Sequence, residues 1–208
     1  MRDLHAVPGV FASRPLPYPI YAASGSPSRD QQTRDSHVAV LVHTVIGRVA
    51  DTCLGAPVAD AVAAVLAATE DVVPPGRGAV KTRMLVAGHA SKYVTRFLPS
   101  AGATFLGAEV PVVRGRVDLA WSHPDCGVWF DEIKVWRHAR TVWDWRTYDQ
   151  IERYLSAGSA MFGDAFTGVR LVVTGHTYDC VLVDPGGEVI PLAESVLAPT
   201  ALTLGGAA

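Results

Sequence analysis

The sequence is poor in cysteine. Its 208 residues include only Cys53, Cys126 and Cys180, which are far apart and odd in number. A disulfide framework needs paired cysteines, and a metal knuckle needs two of them in close spacing. We therefore expect neither kind of site, and the scarcity of thiols favours a reduced, cytoplasmic setting.

A long uninterrupted apolar run is also missing. The most apolar region, residues 38 to 66, is broken by His43, Arg48, Asp51 and Asp60, whereas a membrane span needs about 18 continuous apolar residues. Prolines between positions 8 and 19 interrupt the N-terminal region in the same way. We therefore expect no signal peptide and no membrane partner.

The chain has no excess of positive charge. Its formal net charge is −2, with 49% hydrophobic and 18% charged residues, which is typical of a globular domain. This balance argues against a protein that coats nucleic acid through its charge alone. A bound divalent cation would still supply positive charge locally.

Hydrophobic periodicity divides the chain into three segments. Residues 1–35 are rich in Pro, Ser, Asp and Arg and predict an irregular arm, while residues 198–208 predict a loose tail. Between them, apolar residues from Val38 to Val49 recur at helical spacing, and Ser36 is a candidate helix cap. Two further helices are predicted after Pro57 and over about 79 to 98.

The period then changes to that of strands. Residues 103–113, 115–122 and 127–135 predict three neighbouring antiparallel strands, followed by a helix over about 144 to 162 and two strands within LVVTGHTYDCVLVD. Helices, strands and a further helix in this order predict an α/β (mixed α+β) fold with a central mixed sheet flanked by helices.

Charged residues at strand positions are the main functional signal. Residues two apart in a strand share a face, so Glu132 and Lys134 face one side and Asp131 the other. If the strands over 115–122 and 127–135 are neighbours, Asp118 lies beside Glu132. The alternative is a surface ion pair between Glu132 and Lys134, with Asp118 at a strand end.

Two carboxylates and one ammonium group at a single point suit phosphodiester hydrolysis. The carboxylates repel each other unless a cation lies between them, and hard oxygen ligands favour Mg²⁺ or Mn²⁺. Such a metal polarises a phosphoryl group and acidifies a bound water, while a lysine stabilises the developing charge.

On these motifs the chain resembles the PD-(D/E)xK nuclease superfamily, within it the RecB-like exonuclease branch. The resemblance is carried by GRVDLAW at 115–121, DEIK at 131–134, YDQIERY at 148–154 and LVHTVIGRVAD around His43. It implies a restriction-endonuclease-like core over residues 36–197. It also implies Mg²⁺ or Mn²⁺ as cofactor, and no iron–sulfur cluster because the cysteines for one are missing.

The resemblance further implies residue roles. Asp118, Glu132 and the Ile133 carbonyl would bind metal, with His43 as an optional ligand; the alternative for His43 is a solvated or cleft-edge histidine. Lys134 would assist the attacking water, and Gln150 with Tyr154 would brace the site or contact the DNA. Glu109 is either a further metal ligand or an edge-strand charge that discourages sheet pairing.

All five tryptophans lie between positions 121 and 145, interleaved with basic residues. Trp121 and Trp129 are expected to pack the back of the sheet. A candidate nucleic-acid surface consists of Arg116, Arg137, Arg140, Arg146, Trp136 and Trp143, for which a packed cover is the alternative.

These observations predict a metal-dependent deoxyribonuclease, with an exonuclease favoured over an endonuclease. The alternative is a catalytically silent nuclease-fold subunit that binds DNA or a protein partner. DNA is the expected partner, and the lack of helicase motifs leaves room for a helicase, recombination or defence-system protein. The oligomeric state is open.

Overall fold

In the N-terminal half, three helices precede the first strand. The structure is a computed structural model that describes residues 29–99, 102–135, 145–175 and 180–192. Helices α1 (Arg29–Cys53), α2 (Val58–Val72) and α3 (Ala79–Arg96) come first. Pro57 directly precedes α2, and Asp60 in its first turn interacts favourably with the helix dipole.

The sheet begins with a three-stranded meander. Strands β1 (Thr104–Val112), β2 (Gly115–His123) and β3 (Gly127–Lys134) pair antiparallel with one another. Helix α4 (Trp145–Phe162) and a short 3₁₀ turn then lead to β4 (Phe166–Val173), which pairs parallel to β3. Strands β5 (Cys180–Val183) and β6 (Val189–Leu192) continue antiparallel, so the order is β1-β2-β3-β4-β5-β6.

Helices cover both faces of this six-stranded mixed sheet. One apolar cluster joins α1, α2 and α3 to one face and includes Val42, Ile46, Tyr93, Trp121 and Trp129. A second cluster joins α4 to the opposite face and includes Phe130, Ile151, Leu155, Phe166 and Val169. The predicted mixed α/β architecture is therefore confirmed at this level.

One helix boundary and one strand differ from the sequence prediction. Helix α1 begins at Arg29 rather than at Ser36, so residues 29–35 are helical and Ser36 is not its cap. This segment has no proline or glycine, and its Arg and Gln residues are good helix formers. Strand β6 was not predicted because Pro191 interrupts its pattern; a proline is tolerated there because β6 is an edge strand.

Helices α1 to α4 are the long helices of the described residues. None of them combines the length and apolar character that crossing a bilayer requires. Residues 1–28 and the predicted tail over 198–208 lie outside the described part of the chain.

Candidate active site

Strands β2 and β3 separate at one end of the sheet. Their pairing covers Leu119 to His123 on β2 and Gly127 to Asp131 on β3. Beyond it, β2 pairs with β1 alone, and the last residues of β3 pair with β4 alone. A backbone edge of β3 is thereby left without a strand partner beside Asp118, and its polar groups need partners from side chains.

Asp118 and His43 provide those partners. The backbone N–H of Ile133 donates to Asp118 Oδ2 over 2.7 Å, and His43 Nε2 lies 3.0 Å from the Ile133 carbonyl oxygen. His43 Nδ1 lies 3.1 Å from Asp118 Oδ1. The three predicted residues are thus in direct contact at the opening, with His43 on α1 and Asp118 on β2.

His43 lies between two acceptor groups. A carbonyl oxygen only accepts hydrogen bonds, so Nε2 donates to Ile133, while Nδ1 faces a carboxylate oxygen of Asp118. Burial lowers the pKa of His43, but the hydrogen bond to Asp118 and the charges of Asp118 and Glu132 outweigh it. The pKa is raised overall, so a positive charge is favoured between the two oxygens.

Gly47 allows α1 to approach the sheet closely enough for this contact. A Cβ at Gly47 would lie 2.8 Å from the Cβ of Ala108 in β1, which is closer than side-chain atoms tolerate. His43 lies one helical turn before Gly47 and therefore faces the same side. The glycine thus sets the distance between His43 and the opening.

Glu132 and Lys134 form a buried ion pair on the α4 side of β3. Lys134 Nζ lies 2.7 Å from Glu132 Oε1, and it donates to Gln150 Oε1 over 2.8 Å. Gln150 Nε2 donates to the Tyr154 hydroxyl over 2.9 Å, and that hydroxyl donates to the Arg116 carbonyl. The alternative of a surface ion pair is excluded, because only 4% of the Glu132 side chain is exposed.

The second carboxylate oxygen of Glu132 has no partner among the described residues. Glu132 Oε2 is buried and makes no hydrogen bond. Burial raises the pKa of Glu132 to about 7; the charge of Asp118 adds to this rise, and Lys134 opposes it. A buried charged oxygen without a hydrogen-bond partner is strongly unfavourable, so Lys134 satisfies only one of the two oxygens of Glu132.

Glu109 also reaches the opening. Oxygen or nitrogen atoms of His43, Glu109 and Asp118 lie within 4.8 Å of one another. Glu109 is exposed, and its φ of 50° is the only positive value at a non-glycine residue in the described ranges. Strained backbone of this kind is concentrated at functional sites. The geometry therefore groups Glu109 with the site rather than leaving it as an isolated edge charge.

One set of metal donors comes close together among the described residues, and it consists of His43, Glu109 and Asp118. Two of the three are carboxylates, whose hard oxygen atoms Mg²⁺ and Mn²⁺ favour, and His43 would have to release a ring proton to bind a metal. Glu132 is not a member of this set, although its unpartnered oxygen would accept a cation. The residues present are therefore chemically suited to a divalent cation.

Helix α4 fixes the β1–β2 hairpin beside this site. Arg153 Nη1 donates to the Arg114 carbonyl over 2.6 Å, and the next residue, Tyr154, bonds to the Arg116 carbonyl. Arg153 is itself held by Asp149, through a 3.2 Å ion pair and a 3.1 Å bond to its carbonyl. The hairpin, Lys134 and α4 thus form one connected hydrogen-bonded unit.

Asp131 points to the other face, as predicted. Arg170 bonds to it in a bidentate manner, from Nε to Oδ1 over 2.7 Å and from Nη2 to Oδ2 over 2.5 Å. Tyr93 and Trp121 donate to Oδ2 as well. Both oxygens of Asp131 are hydrogen-bonded within the protein, so Asp131 belongs to the core rather than to the site.

The predicted nucleic-acid surface is placed only in part. Arg116 and Arg146 are exposed on β2 and α4, whereas Arg137, Arg140, Trp136 and Trp143 lie outside the described residues. Trp121 and Trp129 are fully buried, which confirms that they pack against the sheet.

Sequence reasoning did not identify Gly47, Arg153 or Arg170. A glycine within a helical pattern was the available signal for Gly47, because it costs about 1 kcal/mol relative to alanine and needs a packing reason. Arg153 gave no signal for its bond to the Arg114 carbonyl and Arg170 gave none for its bond to Asp131, since both partners are distant in sequence. Comparisons of the chain with protein-family models, curated proteins and solved structures give no match.

Proposed function

We propose that the chain is a metal-dependent deoxyribonuclease that hydrolyses phosphodiester bonds. One observation supports this most: buried Glu132, with one oxygen unpartnered, is paired with Lys134 and lies within electrostatic reach of Asp118 where β2 and β3 separate. Buried side-chain oxygens are rarely left without a partner, and a bound cation would give this oxygen one. The six-stranded mixed sheet is compatible with a restriction-endonuclease-like core, and the motifs favour its RecB-like PD-(D/E)xK branch.

Mg²⁺ or Mn²⁺ is the proposed cofactor, held by Asp118, Glu132 and the Ile133 carbonyl, with His43 and Glu109 as further candidate ligands. When bound, the cation supplies positive charge that polarises the phosphoryl group and acidifies a water molecule. It would also neutralise the repulsion between Asp118 and Glu132 that raises the pKa of Glu132.

Lys134 has the central catalytic role in this proposal. Glu132 and Gln150 fix its ammonium group at 2.7 and 2.8 Å, so Lys134 meets the substrate already oriented. It holds the attacking water and stabilises the charge that develops on the phosphoryl oxygens. Gln150 and Tyr154 act as positioning residues through Lys134 and the Arg116 carbonyl.

The reaction balances as a hydrolysis. The oxygen of water forms a bond to phosphorus, and the bond between phosphorus and the leaving sugar oxygen breaks. The leaving oxygen gains a proton, and the water loses one to the surroundings. No redox partner is required.

We propose digestion from DNA ends, because the YDQIERY helix supports the exonuclease branch through the contact of Gln150 with Lys134. The rival is a silent nuclease-fold subunit that binds DNA or a helicase, recombination or defence-system protein. Such a subunit has no need for an oriented lysine beside two carboxylates, which favours the enzyme.

The test is digestion of matched linear and circular DNA, single- and double-stranded, with Mg²⁺, Mn²⁺ or chelator. We expect metal-dependent loss of linear DNA and a decrease of about 10³-fold for Lys134→Ala or Asp118→Asn. Lys81→Ala, at an exposed lysine on α3, is the matched control and should retain the wild-type rate.

Other outcomes would change the assignment. Nicking of circular DNA would favour an endonuclease. Intact DNA under all conditions, with binding equally strong in chelator, would contradict the enzyme and favour the silent subunit.

A further inference from the structure

The tip of the β1–β2 hairpin has an unusual composition. Val112 pairs with Gly115, so Val113 and Arg114 alone form the turn. Two-residue hairpin turns often favour Asn, Asp and Gly because they need a positive φ. Neither Val113 nor Arg114 has a positive φ, so the backbone of this turn tolerates a valine without requiring one. Val113 is 93% exposed, more than any other large apolar residue in the described part of the chain, and core packing does not account for it.

Two exposed cations accompany Val113. Arg114 and Arg116 are both exposed, and within the described ranges neither guanidinium group has a hydrogen-bond or ion-pair partner. Arg116 precedes Asp118 by two residues, or about 7 Å along a strand. An apolar tip followed by two exposed arginines gives the hairpin positive charge that is complementary to a polyanion approaching along β2.

The hairpin is held in a fixed position. Arg153 and Tyr154 on α4 bond to the carbonyls of Arg114 and Arg116, and α4 also positions Lys134 through Gln150. The tip therefore keeps a constant distance from the site, at most about 17 Å along β2 from Asp118. A rigid protrusion loses little conformational entropy when it binds a partner.

Resting on the proposed function, we propose that Val113 recognises the end of a DNA duplex, with Arg114 and Arg116 holding phosphates of the strand that enters the site. Inside a duplex, stacked base pairs present only their edges in the grooves. The apolar face of a base pair is exposed at the terminal pair alone, and an apolar side chain packs against that face. The hairpin thus selects ends over internal positions.

The test compares binding of a short open duplex with binding of the same duplex closed at both ends by loops. Fluorescence anisotropy is measured with Ca²⁺ in place of Mg²⁺, and gels verify that the DNA stays intact. We expect wild type to prefer the open duplex by about tenfold, and Val113→Ser to reduce this ratio to near one. Val80→Ser, at another exposed valine, on α3, should keep the preference.

A second measurement addresses the arginines. Combined Arg114→Ala and Arg116→Ala should make the dependence of log Kd on log salt concentration shallower by about 1.8. Arg77→Ala, at an exposed arginine in the loop before α3, should leave the slope unchanged. An unchanged slope in the double variant would overturn the assignment of the two arginines to phosphates.

The end-recognition proposal and the nuclease proposal fail in different ways. Equal binding of open and closed duplexes by wild type, absence of duplex binding, or a preference retained by Val113→Ser would overturn end recognition. If wild type prefers open duplexes but digests no DNA with Mg²⁺, the nuclease proposal fails and end recognition stands. If closed DNA is digested as fast as open DNA, the end-recognition proposal fails and the nuclease proposal stands.

Discussion

Asp131 and Glu132 are consecutive, buried acidic residues on β3 with opposite surroundings. Asp131 faces α3 and receives four hydrogen bonds, from Arg170, Tyr93 and Trp121. Glu132 faces α4, shares one oxygen with Lys134 and leaves the other without a partner. Both oxygens of the first carboxylate are hydrogen-bonded, whereas one oxygen of the second is left for a proton or a cation. Local hydrogen-bond satisfaction thus distinguishes the two carboxylates.

The largest expected effect on stability comes from removing the cation that pairs with Asp131. Arg170→Met leaves Asp131 buried without its cation, and we expect the free energy of unfolding to decrease by about 3–5 kcal/mol. Chemical denaturation measures this decrease in the free energy of unfolding. The double variant Asp131→Leu with Arg170→Met should recover most of the loss, because it removes both charges. A loss below about 1 kcal/mol in the single variant would contradict this interpretation.

A smaller effect is expected on the Glu132 side, and it depends on pH. The pKa of Glu132 in the folded chain, about 7, is above its ordinary value of 4.5. Between these values the folded state binds more protons than the unfolded state, so the stability of the metal-free chain falls as pH rises. Glu132→Gln removes this contribution, and its stability relative to wild type should increase by about 3 kcal/mol from pH 4.5 to 8.

Denaturant titrations at several pH values, in chelator, provide this comparison. Mn²⁺ should stabilise wild type above pH 7 and should stabilise Glu132→Gln less, because the substituted amide is a weaker ligand. A stability difference that does not change with pH would show that the unpartnered oxygen has no energetic effect.

The smallest effect concerns the approach of α1. Gly47→Ala places a Cβ 2.8 Å from that of Ala108, and we expect a loss of about 1–3 kcal/mol from overpacking, with weaker DNA cleavage as His43 is displaced. Gly88→Ala on α3, where nothing lies within 4 Å, should instead stabilise the chain by about 0.5–1 kcal/mol.

Adding Ala108→Gly to Gly47→Ala tests the mechanism. The second substitution removes the close Cβ and should restore the position of α1 and the activity. If thermal unfolding and cleavage show no recovery, the effect of Gly47→Ala does not arise from this contact.

Strand alternation was sufficient to predict which way the charged residues of β3 face. It placed Asp131 on one side and Glu132 with Lys134 on the other, and the contacts of Arg170 and Gln150 confirm it. The helical pattern around His43 and Gln150 likewise predicted the elements that carry them. These are local properties, set by the periods of strand and helix.

The remaining features depend on groups that are distant in sequence. No local sequence pattern indicates that β2 separates from β3, and none indicates the strained backbone at Glu109. Strand β6 was missed because a proline in a short run indicates a loop unless the strand is known to be at an edge. Arg170 has no recognisable role without its partner across the β3–β4 pair.

The open end of the sheet also has a consequence for folding. The bond from His43 to the Ile133 carbonyl joins residues 90 positions apart, and the contact of Lys134 with Gln150 requires α4 to be in place. Contacts of such long range form late, after the loops between them have closed. A growing or truncated chain that ends before α4 therefore lacks the Lys134–Gln150 contact, so the cluster around Lys134 is assembled only once α4 has formed.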